Sequence, residues 1–380
     1  MLTRFDDYPI HPTANPIAWP LSGDPNHYDR YWFNGQDRDG RFFIAAAMGH
    51  YPVRDVVDAA FSVVVDGVES SVFASGRMPK DRTTAVGPIS VDVVEPLREI
   101  RFVADRNATG LGCDLTFRAK TAAVEEPRQT RFRADGALAT DHTRFTQWGT
   151  WAGTVWLDGT TIDVDPATTV ATRDRSWGFR PVGAPTPTNR PVERPRAFWL
   201  WAPLHFDGFC THMLLHEHAD GRRWLETAML VPAAPVAPAA AVAAGAWPPG
   251  EPVEWSELGY DIEWEPGRRE LRRAELSATD AAGGRQTIVV EKLFSFRMRG
   301  IGYLHPTWGH GSAHGVLEVG REDLVLDELD PLDLSSLHVQ NVVRARLGDH
   351  VGVGVVEQLV LGPHEPTGIT GFLDGWGASD

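Results

Sequence analysis

Cysteine is almost missing from this sequence: Cys113 and Cys210 are the two present in 380 residues. Placed one in each half, they give no disulfide framework, and a reducing compartment fits them. Basic residues are also short, with 36 Lys and Arg against 51 Asp and Glu, a formal charge of −15. Such a field repels nucleic-acid phosphates and anionic lipid surfaces, so neither nucleic-acid binding nor membrane insertion is expected. No apolar run approaches membrane-spanning length, and the first residues (MLTRFDDYPIHPTANPIAW) hold no apolar signal core. A soluble, cytoplasmic protein is expected. Also missing are a Gly-x-Ser-x-Gly elbow, a phosphate loop, a dinucleotide fingerprint and His-Glu-x-x-His. Hydrolysis by a Ser nucleophile, phosphoryl transfer and nicotinamide redox therefore lack support, and no cofactor is expected.

Aromatic residues and turn signals are abundant. Fourteen Trp, 17 Phe and an apolar fraction of 42% supply sizeable cores. The length of 380 residues favours two domains. Asp-Gly occurs at Asp39, Asp66, Asp135, Asp158, Asp207, Asp220 and Asp374, beside Asn34-Gly35 and Gly283-Gly284. These pairs accept the positive φ of tight hairpins, and several follow β-type runs such as Ala60–Val65 and Ala197–Phe206. Closely spaced strands and turns predict an all-β chain of antiparallel sandwiches or barrels. Arg268–Leu276 (RRELRRAEL) carries some helical signal, but its continuation to Phe296 reads better as a hairpin around Gly283-Gly284. The stretch Pro181–Pro195 holds five prolines and is the expected linker between 1–185 and 186–380. Val231–Pro249, rich in Ala and Pro, is expected as an extended surface loop.

Five segments could carry chemistry. In Arg173–Arg180 (RDRSWGFR), the arginines would hold Asp174 ionised in a salt-bridged turn. Pointed into an apolar pocket beside Trp177, the same Asp would have a raised pKa and serve as an acid. In Gln147–Trp156, alternation puts Trp148 and Trp156 on one strand face with small residues between, and Trp151 on the other. That arrangement makes either a wall for planar ligands or ordinary core. In Phe209–His218 (FCTHMLLHEH), His212, His216 and His218 share a face, as metal ligands or as hydrogen-bonded imidazoles. Tyr303–Gly315 (YLHPTWGHGSAHG) is a Gly-rich loop in which His305 and His310 are candidate proton carriers and Tyr303 and Trp308 candidate ligand contacts. A C-terminal hairpin, His338–Leu347 with Val351–Leu361, presents Gln340 and Arg344 to a polar ligand atom or to Glu357.

Asp174–Gly178, an Asp-x-Ser-Trp-Gly element after a β run, resembles the Asp-His-Asn/Ser-Trp-Gly element of the AttH-like and hydroxyneurosporene (carotenoid) hydratase superfamily. A His-Pro-x-Trp-Gly-His-Gly element in the second half, His305–Gly311, extends the resemblance over most of the chain. It implies two consecutive lipocalin-like (calycin-type) antiparallel β-barrels, expected to enclose an apolar pocket. It also implies an acidic residue that protonates an alkene among aromatics, and maps Asp174 and Trp177 onto the motif. Arg175 stands where the family often has His, which His305 or His310 would have to replace. Members also include pericyclases, cyclases and proteins of no known activity, so fold is better supported than reaction.

The expectation is a cofactor-independent lyase or isomerase of hydratase type, acting on an apolar terpenoid, steroid or aromatic small molecule. Asp174 would be the general acid, with His305 or His310 placing water or taking up a proton. Trp148, Trp177, Tyr303, Trp308 and Arg344 would contact substrate. Two readings stand beside it: a non-catalytic carrier of a hydrophobic small molecule, and a metal-dependent enzyme using His212, His216 and His218. The sequence sets neither the substrate nor the oligomeric state, a homodimer included.

Overall fold

Period-two alternation organises the strands. In His27–Asp37, Tyr31 and Phe33 turn into one core with Phe61, Phe102 and Trp151, while Trp32 turns to the opposite side. The computed structural model describes residues 14–20, 22–106, 109–183, 189, 196–234 and 250–377. Among them there is no α-helix, only short 3-10 turns such as Met298–Ile301. The expected linker and the expected division at 185–186 fall largely outside the described residues, as does most of the Val231–Pro249 loop.

The chain builds two barrel-like antiparallel bodies. The first is a nearly closed sheet whose central strands run in the order Val68–Arg77, Val56–Val65, Phe43–Tyr51, His27–Asp37, Thr169–Phe179, Leu138–Leu157 and Leu111–Ala119. The second is a closed barrel running from Ala197–His205 through Phe209–Glu217 to the hairpin His338–Leu347 and His350–Leu361. Leu271–Thr279 and Arg285–Arg297 form the hairpin expected around Gly283-Gly284. One strand crosses over: Leu317–Val325, from the second half, pairs with Val68–Arg77 and extends the first sheet. Arg321 on that strand bonds both carboxylate oxygens of Asp158 at 2.6 Å.

Each barrel is filled by its own side chains. The gap among Phe33, Ile44, Phe61, Phe102 and Trp151 has no room for a water molecule. Phe198, Trp255, Trp264 and Leu271 fill the second interior. The expected pocket is therefore not inside either barrel: among the described residues, large aromatics on the inward faces leave no calyx. A third apolar layer joins the bodies, with Trp32, Phe43 and Phe73 of the first sheet against Trp201, Leu214 and Phe296 of the barrel. Trp32 and Trp201 meet edge-to-face at 5.4 Å. Each large apolar side chain buried there contributes about 1.5–3 kcal/mol, so the two bodies share one stable contact.

Candidate functional site

Where this layer ends, polar residues continue along the same strand faces. His142 and Arg144 extend the row of Thr146 on Leu138–Leu157. Arg180 follows Asp174 and Ser176 past the end of Thr169–Phe179, and Trp199 follows Trp201 on the barrel. There a cleft of about 940 Å³ separates the sheet from the barrel wall.

The barrel supplies an aromatic wall and an ion pair. The His216 ring lies between the indoles of Trp199 and Trp224, at 4.2 and 4.3 Å between centroids. His338 Nε2 is 2.8 Å from Glu357 Oε1, and Trp199 Nε1 donates to that oxygen at 3.0 Å. Gln340 Nε2 donates to Glu357 Oε2 at 2.7 Å. Burial pushes the Glu357 carboxyl up, but His338 and Gln340 outweigh it and hold Glu357 ionised. His338, Glu357, Trp199, Trp224 and His216 all line the cleft.

The Tyr303 loop supplies the facing side. The Tyr303 ring stands edge-on to His310 and His338, each at 4.6 Å, with the Arg30 guanidinium 4.6 Å from its centroid. Burial first, then Arg30 and Arg180, hold His310 far below the usual imidazole range. Burial, Arg180 and Arg144 push His142 down to about 3. These imidazoles are neutral at physiological pH, and the His310 Nε2 is buried without a hydrogen-bond partner.

Asp174 stands one step deeper, between Trp32 and Thr146 in register, and does not line the cleft. The arginines of its motif make their bonds elsewhere. Arg173 donates to Gln147 Oε1 at 2.8 and 2.6 Å, and Arg175 pairs with Asp29. Asp174 makes no hydrogen bond or ion pair among the described residues; burial pushes its pKa up to about 7 against the pull of Arg144. The salt-bridged turn is thus corrected, because alternation turns Arg173 and Arg175 to the other face. The motif's Gly178 is needed at φ +134, since a Cβ there would lie 2.3 Å from the Asp141 carbonyl oxygen.

Of the other expected site residues, Tyr303, His305 and His310 line the cleft. His305 is tied to its own loop: Nδ1 accepts from the Thr307 and Trp308 amides at 2.9 Å, while Nε2 lies 3.3 Å from Glu322 without a hydrogen bond. Trp177 lies on the outer surface, 42% exposed, because a three-residue step from Asp174 reverses the strand face. Trp148 is core, packed with Cys210 and Met229 and edge-on to His212. Trp308 stacks on Phe73 at 5.6 Å rather than entering the cleft. Arg344 is exposed, opposite Glu291 and Val353.

The three-histidine arrangement does not form. His212 Nε2 is bound to Glu126 at 3.0 Å, His216 is held by two indoles, and a register shift after His216 separates His218. Among the described residues no group of three or more His, Cys, Asp or Glu is placed to hold a metal. Sequence reading missed Arg144, Arg180, Trp199, Trp224 and Glu357 as site residues. The signal was alternation, since His142, Arg144 and Thr146 repeat polar residues every second position of a strand that must be buried.

Solved structures share this architecture. AttH from Nitrosomonas europaea aligns with a TM-score of 0.54 at 11% identity, covering 93% of this chain and 98% of its own. Kievitone hydratase from Nectria haematococca aligns at 0.50 and 12%, covering 91% and 94%. CghA, solved with Sch210972, aligns at 0.50 and 12%, covering 89% of each chain. At such identities the likeness is one of fold, and it is the two-barrel fold of the AttH-like proteins. Comparison with curated proteins finds no match. A family model described as a family of unknown function (DUF8625) matches residues 2–370, and the chain belongs to that family.

Proposed function

We propose that this protein is a cofactor-independent lyase or isomerase of hydratase type, acting on a largely apolar small molecule bound between sheet and barrel. The observation that carries this reading is the His338–Glu357 pair, 2.8 Å apart on the wall of a cleft of about 940 Å³. A carboxylate that orients an imidazole and offsets its charge is a common proton-transfer unit. The fold shared with kievitone hydratase supports it.

In the addition direction, His338 gives its proton to one alkene carbon and the adjacent carbon becomes cationic. A water oxygen bonds to that carbon, and the proton it sheds passes to the neutral His310. A weak base suffices, because the protonated alcohol is strongly acidic. Trp199 and Trp224 line the cleft where the cation forms and, clamped about His216, give it a rigid wall. Elimination runs the same steps backwards. General acid catalysis of this kind supplies about two to four orders of magnitude in rate. Asp174 is a positioning residue, fixing the charge behind Arg144, and His305 holds its loop.

The reading is tested by incubating the protein with hydroxylated and prenylated aromatic and terpenoid compounds in H2¹⁸O and in D2O. Mass spectrometry should find ¹⁸O addition or deuterium incorporation, lost in His338→Asn and Glu357→Gln variants that still bind ligand. Turnover retained in both variants overturns the assignment. Binding without conversion of any compound favours the carrier.

A further inference from the structure

Positive charge is scarce in this molecule overall, yet around Tyr303 it gathers without a carboxylate partner among the described residues. Arg180 lines the cleft, and its guanidinium rests on the rings of Tyr28 and Tyr303, 4.6 and 5.5 Å from their centroids. Among the described residues no carboxylate pairs with it, and its Nε is buried without a hydrogen-bond partner. Arg30 lies over the same Tyr303 ring at 4.6 Å, is 1% exposed, and has Nε, Nη1 and Nη2 all buried without a partner. A buried guanidinium with no acceptor is costly, and of the two it is Arg180 that lines the cavity, where what enters can satisfy it.

The acids nearby are already committed. Glu357 serves His338, Trp199 and Gln340, and Glu217 serves Arg223, Tyr260 and His364. Asp174 is felt by Arg30 only at a distance and is itself close to half-protonated near neutral pH. His142 and His310, which both feel the Arg180 charge, are held neutral. Asp58, which feels Arg30, is bonded by Tyr51 and Gly311, and Asp220 and Glu365 are exposed acids of the cleft lining. The positive part of the cleft is therefore the part around Tyr303, which favours a negative group on the ligand although the whole molecule is strongly anionic.

We propose that the ligand of this cleft carries an anionic group (carboxylate, sulfonate or phosphate) held by Arg180, with Arg30 behind it across the Tyr303 ring. The apolar body lies against Trp199 and Trp224. This rests on the reading that the cleft is the ligand site, and it narrows the substrate class from apolar compounds to apolar acids.

The probes are 8-anilino-1-naphthalenesulfonate and neutral N-phenyl-1-naphthylamine, the same rings with and without the sulfonate. Both are titrated by fluorescence into the full chain at low salt. Charge-assisted bonding predicts that the sulfonate binds about tenfold tighter or better. Arg180→Met should erase that preference, Arg180→Lys should keep most of it, and Arg346→Gln, on an exposed face, should leave it unchanged. Leu359→Trp, which fills the cleft, should weaken both dyes. Equal affinities in the unaltered protein, or a preference that survives Arg180→Met, overturn the inference. If Leu359→Trp still weakens both dyes in that case, the cleft stands as a ligand site and only the anionic requirement fails. If Leu359→Trp leaves both unchanged, the cleft is not the site and both readings fall.

Discussion

Glu126, just past the short strand Val124–Glu125 of the first sheet, places its Oε1 3.0 Å from His212 Nε2 on the second barrel. Thr146 Oγ1 and Trp201 Nε1 donate to the same oxygen at 2.7 and 3.1 Å, and Arg144 Nε donates to Oε2 at 2.6 Å. One buried carboxylate thus ties the bodies together beneath the cleft. Burial would raise its pKa, but Arg144 and His212 outweigh that and hold it well below the usual carboxylate range. A depressed folded pKa contributes stability that is present above the unfolded value of 4.5 and is lost as pH falls below it. Glu126→Gln leaves Arg144 buried with a weaker partner and should cost about 3–5 kcal/mol at pH 7. Thermal unfolding across pH 3–7 checks this: the variant's deficit should shrink on acidification, and a deficit independent of pH would refute the clamp.

Asp174 titrates with the opposite sign. Its folded pKa of about 7 lies above the ordinary 3.8, so its favourable contribution is complete below pH 3.8 and is lost as pH rises through about 7. Asn mimics the protonated form. Asp174→Asn should therefore gain on the unaltered protein between pH 5 and pH 8, by on the order of 1–3 kcal/mol. Paired denaturation curves at the two pH values measure it. A difference that does not move with pH would mean that Asp174 finds a cationic partner in solution.

Local turn chemistry was legible where it acts alone. The glycines after Asp39, Asp66, Asp135, Asp158, Asp207 and Asp220 all take positive φ. Asn34-Gly35 carries the same signal yet lies inside strand His27–Asp37. There Trp151, 117 positions from Asn34, donates to the Asn34 carbonyl at 2.9 Å, and a Cβ on Gly35 would lie 2.3 Å from its ring. A contact so distant in sequence overrides the dipeptide. Gly35→Ala should accordingly cost about 2–3 kcal/mol. Urea unfolding of this variant, beside Gly67→Ala in an open turn, separates crowding from backbone strain, and an equal loss in both would show that Trp151 yields easily.

The two-barrel fold followed from the spacing of strands and turns together with the Asp-x-Ser-Trp-Gly resemblance. The site did not follow, for two physical reasons. His338 and Glu357 meet through the register of a hairpin, and Arg144 meets Glu126 through a strand pairing that no local pattern encodes. The face of Trp177 was legible and went unread, because Asp174 and Trp177 differ by an odd number and cannot share one side of a regular strand. The resemblance implied an apolar pocket walled by aromatic rings. Inside the first barrel those rings close the space, and the cavity opens instead where polar residues continue the interface rows.

Tyr303 holds that cavity's cations in place. Its ring faces the guanidiniums of Arg30 and Arg180 and touches His310 and His338 edge-on. A desolvated cation–π contact contributes about 2 kcal/mol. Tyr303→Leu removes both contacts and should destabilise the protein by about 2–4 kcal/mol. Tyr303→Phe keeps the ring and should cost about 1 kcal/mol or less, the share of one hydroxyl. Added sulfate should recover part of the loss in the Leu variant, since an anion supplies the exposed guanidiniums with a substitute acceptor. Denaturant unfolding with sulfate, and with chloride at matched ionic strength, makes the comparison. Equal losses in the Leu and Phe variants would assign the stability to the hydroxyl and refute the cation–π account.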